Sequence, residues 1–140
     1  MKNIIYLFCF LFLLSFTSCD SFCLGGKEKK LGNNFRLINE DIYNVYILYC
    51  TSKGCCDTGF SVIPSKIEKF NYNNKWIIAK SVNKDRLDNY WIVNKDFEVD
   101  LSNCDNISCD SIIKSNIFGP FNRSEFKEKK SVLKINIDLK

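Results

Sequence analysis

The middle of the chain, residues 67–82, reads IEKFNYNNKWIIAKSV and predicts a β-hairpin. Ile67–Tyr72 and Trp76–Val82 are rich in aromatic and β-branched residues, which favour strands. Asn73 and Asn74 lie between them, and asparagine tolerates the positive φ of a tight hairpin turn. An antiparallel pair of strands is therefore the expected centre of the fold.

Further strands are expected on both sides of this hairpin. They are Phe35–Leu37, Ile42–Cys50, Phe60–Ile63, Tyr90–Val93, Phe97–Leu101 and Leu133–Leu139. In Phe97–Leu101 and Leu133–Leu139, apolar and polar residues alternate, which is typical of a strand with one solvated face. In Tyr90–Val93, the adjacent Tyr90 and Trp91 must point to opposite faces. One of the two rings therefore faces away from the main core unless another element covers that side.

Two short helices complete the expected fold. Ile107–Lys114 is one candidate. Asn122 with Glu125 three residues later resembles a capping box, which predicts a second helix that ends near Lys130. The fold class that follows is mostly β (α+β), an antiparallel meander sheet with one or two short helices toward the C-terminus.

The N-terminus has the pattern of a secretory signal. One lysine precedes thirteen nearly continuous apolar residues, Ile4–Phe16, and then come Thr17, Ser18 and Cys19. A helix of this length spans about 20 Å, less than the roughly 30 Å hydrocarbon core of a bilayer. The segment is therefore interpreted as a signal peptide and excluded from the fold.

The residues before Cys19 indicate which kind of signal this is. Phe16-Thr17-Ser18-Cys19 resembles the bacterial lipobox, in which signal peptidase II cuts before a cysteine that carries diacylglycerol. Phe16 departs from the usual Leu, Val or Ile. The resemblance implies lipid attachment at Cys19 and anchoring of the chain in the cell membrane or outer membrane, facing the periplasm or the exterior. The expected organisation is a signal peptide (1–18), a lipid-anchored flexible tether (19–32) and a single small antiparallel β-rich domain (33–140).

A second resemblance covers the middle and end of the mature chain. It rests on Ile63-Pro64, Tyr72-Asn73, Ile77-Ile78-Ala79-Lys80, Tyr90-Trp91-Ile92 and Gly119-Pro120-Phe121. These motifs are similar to those of a family of small bacterial lipoproteins whose domain has no assigned function. The resemblance implies a location and a fold and carries no activity.

Composition excludes several functions. The chain has 140 residues, no histidine and a formal charge of +4. Without histidine, the Ser-His-Asp and Cys-His forms of nucleophilic catalysis and every imidazole metal site are absent. Only three of its twenty basic residues are arginine and no long basic stripe is present, so no nucleic acid is expected as a partner. No cofactor and no enzymatic activity are expected.

The cysteines are the remaining candidates for chemistry. Besides Cys9, Cys19 and Cys23, the chain contains Cys50, Cys55, Cys56, Cys104 and Cys109. An exported, oxidising location favours disulfides among these five, with the pairing left open. A four-thiolate metal site and free thiols are the alternatives, and the C-x4-C spacing is wider than the usual C-x2-C of zinc sites.

Three classes of function compete. The first is a membrane-anchored, non-catalytic binding or interaction module of unknown ligand, whose partners are the lipid bilayer and an envelope protein. The second is a cysteine-based redox or metal-handling envelope protein. The third, ranked last, is a hydrolase that uses carboxylates.

Overall fold

Short turns rich in asparagine and glycine divide the folded part of the chain into strands. The computed structural model describes residues 26–52, 54–56, 58–64, 66–102, 104 and 106–140. The elements of this described part are β1 (Lys27–Gly32), β2 (Phe35–Asn39), β3 (Val45–Cys50), β4 (Gly59–Ile63), β5 (Ile67–Tyr72), β6 (Trp76–Val82), β7 (Asp88–Asn94), α1 (Asn106–Ser115), β8 (Ile117–Phe121) and α2 (Arg123–Val132). The predicted mostly β class is confirmed for the described residues, which form eight strands and two helices.

The strands form two four-stranded antiparallel sheets. Sheet 1 has the order β1-β2-β3-β4 and sheet 2 the order β5-β6-β7-β8, so sequential strands are neighbours within each sheet. The predicted antiparallel meander thus holds inside each sheet, and the strands divide into two sheets. Pro64 directly follows β4 at the point where the chain leaves sheet 1. Because proline has no N–H to donate, it favours the end of a ladder.

The main hydrophobic core lies between the two sheets. Its most buried members include Phe35, Ile47, Ile63, Ile77, Val93 and Ile113, the last of which belongs to α1. The ring of Phe35 meets Tyr49 edge-on, with the ring centroids 5.1 Å apart. Both sheets and α1 therefore bury their apolar faces in a single cluster.

Sheet 2 is covered on its other face as well. Trp91 packs against the core between the sheets, and its indole N–H donates to the Ser81 hydroxyl at 2.8 Å. Tyr90 points the opposite way, and its ring centroid lies 5.1 Å from that of Phe126 in α2. The prediction for Tyr90 and Trp91 is confirmed, and α2 is an element that covers Tyr90.

Two local predictions, the hairpin and the helix cap, are confirmed, although Asn73 and Asn74 do not adopt the expected positive φ. Residues 67–82 form the β5–β6 hairpin, in which the side-chain oxygen of Asn73 accepts the N–H of Lys75 and Trp76 at 2.9 and 2.8 Å. At α2 the Asn122 side chain accepts from the N–H of Glu125, whose carboxylate accepts the Asn122 N–H. Asparagine side chains thus close the turn and cap the helix.

Two predicted strands are absent from the part of the chain that the structure describes. Phe97–Leu101 packs its apolar residues on the core between the sheets without joining a sheet. Leu133–Leu139 lies on the outer side of sheet 2, where Ile135 is buried and its apolar neighbours are partly covered. In both segments, polar and apolar residues alternate because one face of the segment packs against the rest of the domain. Such packing does not require the backbone to pair with a strand.

The N-terminal boundary of the domain also differs from the prediction. Lys27–Gly32, expected within the flexible tether, forms β1 and pairs with β2. Its lysines are consistent with an edge strand, where charged side chains remain in water. The predicted strand Ile42–Cys50 begins later, at Val45, because Asp41 organises a loop over the preceding residues.

Candidate functional site: a lysine-rich cleft

The cysteines that the sequence singles out are in disulfides. Cys50 at the end of β3 is bonded to Cys56, with their Cα atoms 5.3 Å apart. Cys104 is bonded to Cys109, and Cys55 is disulfide-bonded too. The prediction that disulfides form among these five residues is thus confirmed.

Both of these described pairings are local. Cys104 and Cys109 would point in different directions if a helix contained both, since five residues correspond to 500° of rotation. However, α1 begins at Asn106, so only Cys109 is helical and the two Cα atoms lie 5.7 Å apart. The bond therefore fastens the segment before α1 to the first turns of that helix.

The predicted lipid attachment at Cys19 falls outside the described residues and stays a prediction. In the described part of the chain, no helix has the length and apolar character needed to cross a membrane. Among the same residues, no group of three or more Cys, Asp or Glu side chains is arranged to hold a metal ion.

A cleft of about 440 Å³ opens between the outer face of sheet 2, α2 and the C-terminal segment. The basic side chains that line it are Lys69, Lys80, Arg123, Lys127 and Lys130. Two carboxylates, Asp88 and Asp138, also line it. The remaining lining residues, Tyr90, Phe126 and Leu139, add two aromatic rings and an aliphatic side chain. The cleft thus combines an excess of positive charge with an apolar surface.

Lys80 is held in place at the base of this cleft. Its Nζ lies 3.0 Å from Glu68 Oε2 and 2.9 Å from Asp88 Oδ1. Hydrogen bonds to Asp88 and Glu68 raise the pKa of Lys80 above its ordinary value. The amine is therefore fully charged at neutral pH, and its charge is compensated by these two carboxylates.

Lys130 is compensated in the same way. Its Nζ donates to Asp138 Oδ1 at 2.9 Å and to the carbonyl oxygen of Ile137 at 2.5 Å. The hydrogen bond from Lys130 lowers the pKa of the Asp138 carboxyl. These contacts attach the C-terminal segment to α2 and form one wall of the cleft.

The other three cations of the cleft are the candidate binding groups. Within the described residues, Lys69, Arg123 and Lys127 have no ion pair or side-chain hydrogen bond. Lys69 comes from β5, whereas Arg123 and Lys127 lie one turn apart on α2. Three uncompensated charges on two sides of a concave surface form a suitable environment for an anionic group.

Another lysine, Lys95, lies outside the cleft and is buried at the other end of sheet 2. It is 2% exposed, its Nζ donates to the carbonyl oxygen of Leu31 at 2.6 Å, and the Tyr72 ring centroid lies 5.5 Å away. No carboxylate pairs with it in the described part of the chain. Burial lowers the pKa of Lys95. Because Leu31 belongs to β1 and Tyr72 to β5, Lys95 joins the two sheets.

Lys95 is expected to make stability depend on pH in the alkaline range. A lysine in an unfolded chain titrates at about pH 10.4, whereas Lys95 in the folded protein loses its proton at lower pH. Between these two pKa values the unfolded chain binds more protons, so the free energy of unfolding rises with pH. The rise is about 1.4 kcal/mol per unit of pKa depression. In urea unfolding, the free energy of unfolding of the wild type should be higher at pH 10 than at pH 7. This rise should be absent in Lys95→Met.

Lys84→Met is the matched control, because Lys84 is exposed and lies in the β6–β7 turn. This variant should keep the wild-type dependence of stability on pH. If stability depended on pH in the Lys95→Met variant as it does in the wild type, the assignment of a lowered pKa to Lys95 would be contradicted.

Sequence analysis does not identify the cleft. The lysines that line it, Lys69, Lys80, Lys127 and Lys130, are four among many lysines, and their spacing in the chain does not place them together. The one available signal is the pair Arg123 and Lys127, which are four residues apart and therefore share a helix face after the predicted capping box.

The fold and the cleft define a class: a small, mostly β, disulfide-bonded domain with a cationic cleft on the outer face of one sheet. The chain belongs to the family described as "Protein of unknown function (DUF3997)", whose model matches residues 32–140. No curated protein and no solved structure matches the chain. The expected membership in a family without an assigned function is confirmed, and the lipobox stays a prediction.

Proposed function

We propose that this protein is a membrane-anchored, non-catalytic binding module whose lysine-rich cleft accepts an acidic group of a ligand or of an envelope partner. The observation that carries the proposal is the set of uncompensated cations Lys69, Arg123 and Lys127 around one cleft. The aromatic rings of Tyr90 and Phe126 favour a ligand that joins its acidic group to an apolar body. The anchor is the acylated Cys19 that the lipobox resemblance implies.

Phenyl phosphate is a suitable probe for the cleft, with inorganic phosphate for comparison. Phenyl phosphate should bind saturably and more tightly, since only it reaches the aromatic surface. The double variant Arg123→Gln, Lys127→Gln should weaken its binding at least tenfold, because two charge-assisted contacts are lost. Isothermal titration calorimetry of the full chain in detergent measures both effects.

The double variant Lys129→Gln, Lys134→Gln is the matched control. It removes the same charge from the last turn of α2 and from the residue after its C-cap Leu133, but neither lysine lines the cleft. Binding by this control should stay within twofold of the wild type. Equal losses in both double variants, or no saturable binding of phenyl phosphate, would reject the cleft as the binding site.

The anchor has a separate test. Cys19→Ser removes the sulfur atom to which diacylglycerol is expected to be attached, so signal peptidase II should not cut and the protein should accumulate with its signal peptide (1–18) uncleaved. Mass spectrometry of the wild-type N-terminal peptide should show diacylglycerol on Cys19. An unmodified Cys19 in a soluble mature protein would refute the anchor and leave the result for the cleft unaffected.

A further inference from the structure

Three large apolar side chains are exposed at one end of the molecule. Ile42 and Tyr43, in the loop between β2 and β3, are 72% and 67% exposed, and Leu87, before β7, is 61% exposed. Exposed apolar side chains scattered over a surface are ordinary, but a group of them at one end indicates a contact with another apolar surface.

The contacts of Lys66 place these side chains at the same end. Its Nζ lies 5.2 Å from the centroid of the Tyr43 ring. Its backbone exchanges hydrogen bonds with Val82, the last residue of β6, and the turn that follows leads to Leu87. The β2–β3 loop and the β6–β7 turn are therefore neighbours, although they belong to different sheets.

The β2–β3 loop is fixed by Asp41. One carboxylate oxygen of Asp41 accepts the N–H of Tyr43 and of Asn44 at 2.6 and 2.9 Å, and the other accepts from the Asn44 side chain at 2.8 Å. These bonds lower the pKa of Asp41, so its carboxylate stays ionised and bonded to the loop at neutral pH. Ile42 and Tyr43 are thus presented outward by an ordered turn.

The chain enters the folded domain at this same end. Lys27 pairs with Asn39, the last residue of β2. Gly26 lies so close to the loop that a Cβ on it would be 2.6 Å from the Asn39 carbonyl oxygen, and its φ is +115°. Gly26 lies seven positions after Cys19, and seven residues at full extension span at most about 25 Å.

We infer that this end of the domain rests on the lipid bilayer and inserts Ile42, Tyr43 and Leu87 among the headgroups and upper acyl chains. The inference rests on the proposed anchor at Cys19, which holds the end within about 25 Å of the membrane surface. Interfacial burial of apolar and aromatic side chains next to a lipid anchor supplies the second attachment that stable docking requires.

The charges around this end predict how the docking depends on lipid. With the Lys80 ion pairs at the start of sheet 2 included, they are Lys27, Lys66, Lys80, Lys84 and Arg86 against Glu40, Asp41, Glu68, Asp85 and Asp88. Five positive charges balance five negative ones, so no net attraction to an anionic surface results. Docking should therefore be equally strong on phosphatidylcholine vesicles with and without phosphatidylglycerol, and insensitive to salt.

Tryptophan quenching by brominated phosphatidylcholine tests the inference. The full chain, recovered from membranes, is reconstituted as Leu87→Trp and, for comparison, as Asn74→Trp in the exposed β5–β6 turn at the other end of sheet 2. After subtraction of the wild-type signal from Trp76 and Trp91, the Leu87→Trp signal should be quenched at least twofold more strongly than the Asn74→Trp signal. Adding Ile42→Ser and Tyr43→Ser to Leu87→Trp should remove this difference.

Each outcome decides one point. Equal quenching at positions 87 and 74 in an acylated, vesicle-bound sample overturns the docking and leaves the anchor intact. Quenching that appears only with phosphatidylglycerol overturns the balanced-charge mechanism. The mass of the N-terminal peptide from the same samples reports on Cys19 independently, so failure of the anchor is distinguishable from failure of the docking.

Discussion

Replacing Phe35 by alanine is expected to lower the free energy of unfolding by about 3–5 kcal/mol. Phe35 is fully buried between the two sheets. Its ring centroid lies 5.1 Å from that of Tyr49 and 6.0 Å from that of Phe97. The substitution removes this aromatic packing and leaves a cavity that rigid neighbouring strands cannot fill. Domains of this size have a total stability of only about 5–15 kcal/mol, so a large part of it is lost.

Urea unfolding under conditions that keep the disulfides intact measures this effect. Ile42→Ala is the control, since Ile42 is 72% exposed and should change stability by no more than about 0.5 kcal/mol. Phe35→Leu should fall between the two, because leucine fills part of the cavity. A loss below about 1 kcal/mol for Phe35→Ala would contradict the packing of the two sheets around this ring.

Removing the disulfides is expected to have an effect of similar size. The Cys50–Cys56 and Cys104–Cys109 bonds span sequence separations of 6 and 5 residues. The chain-entropy model gives about 2 kcal/mol for each short loop, and about 4 kcal/mol for both. The pairs Cys50→Ala, Cys56→Ala and Cys104→Ala, Cys109→Ala, made separately and together, should show these losses in urea unfolding without reductant.

Reduction of the wild-type protein tests the same disulfide bonds without substituting the cysteines. Thiol counting should find these four cysteines blocked before reduction and free after it, with a matching loss of stability. Metal analysis of the same sample separates structural disulfides from the alternative of a metal-handling protein. Free thiols in the purified protein, or stability unchanged by reduction, would contradict the structural role.

Local sequence patterns predict the hairpins of this fold well, because a turn and two flanking strands are encoded within about twenty residues. The β5–β6 hairpin and the cap of α2 are examples, since the side chains of Asn73 and Asn122 act on backbone groups at most three residues away. Which face a strand buries is also local, as Tyr90 and Trp91 show.

Pairing between distant segments is not encoded locally. Alternation in Leu133–Leu139 predicts a face against protein, and the structure places that face on sheet 2 without adding a strand. The lysines of β1 indicate exposure, which suits both a flexible tether and an edge strand. The cleft depends on the contact of α2 with sheet 2, so Lys69 and Lys127 come together only after the whole domain has folded.

The charges of β1 affect how copies of the protein interact with one another. The strand lies at the edge of sheet 1 with the sequence KEKKLG, and an uncovered edge offers backbone groups to a second copy of the same strand. Copies that share one bilayer through the proposed anchor meet at high local concentration and in similar orientation. Three lysines on each approaching edge repel one another and keep neighbouring sheets from joining. The segment Lys27–Gly32, which the sequence suggests is a flexible tether, thus protects the folded protein against polymerisation between copies.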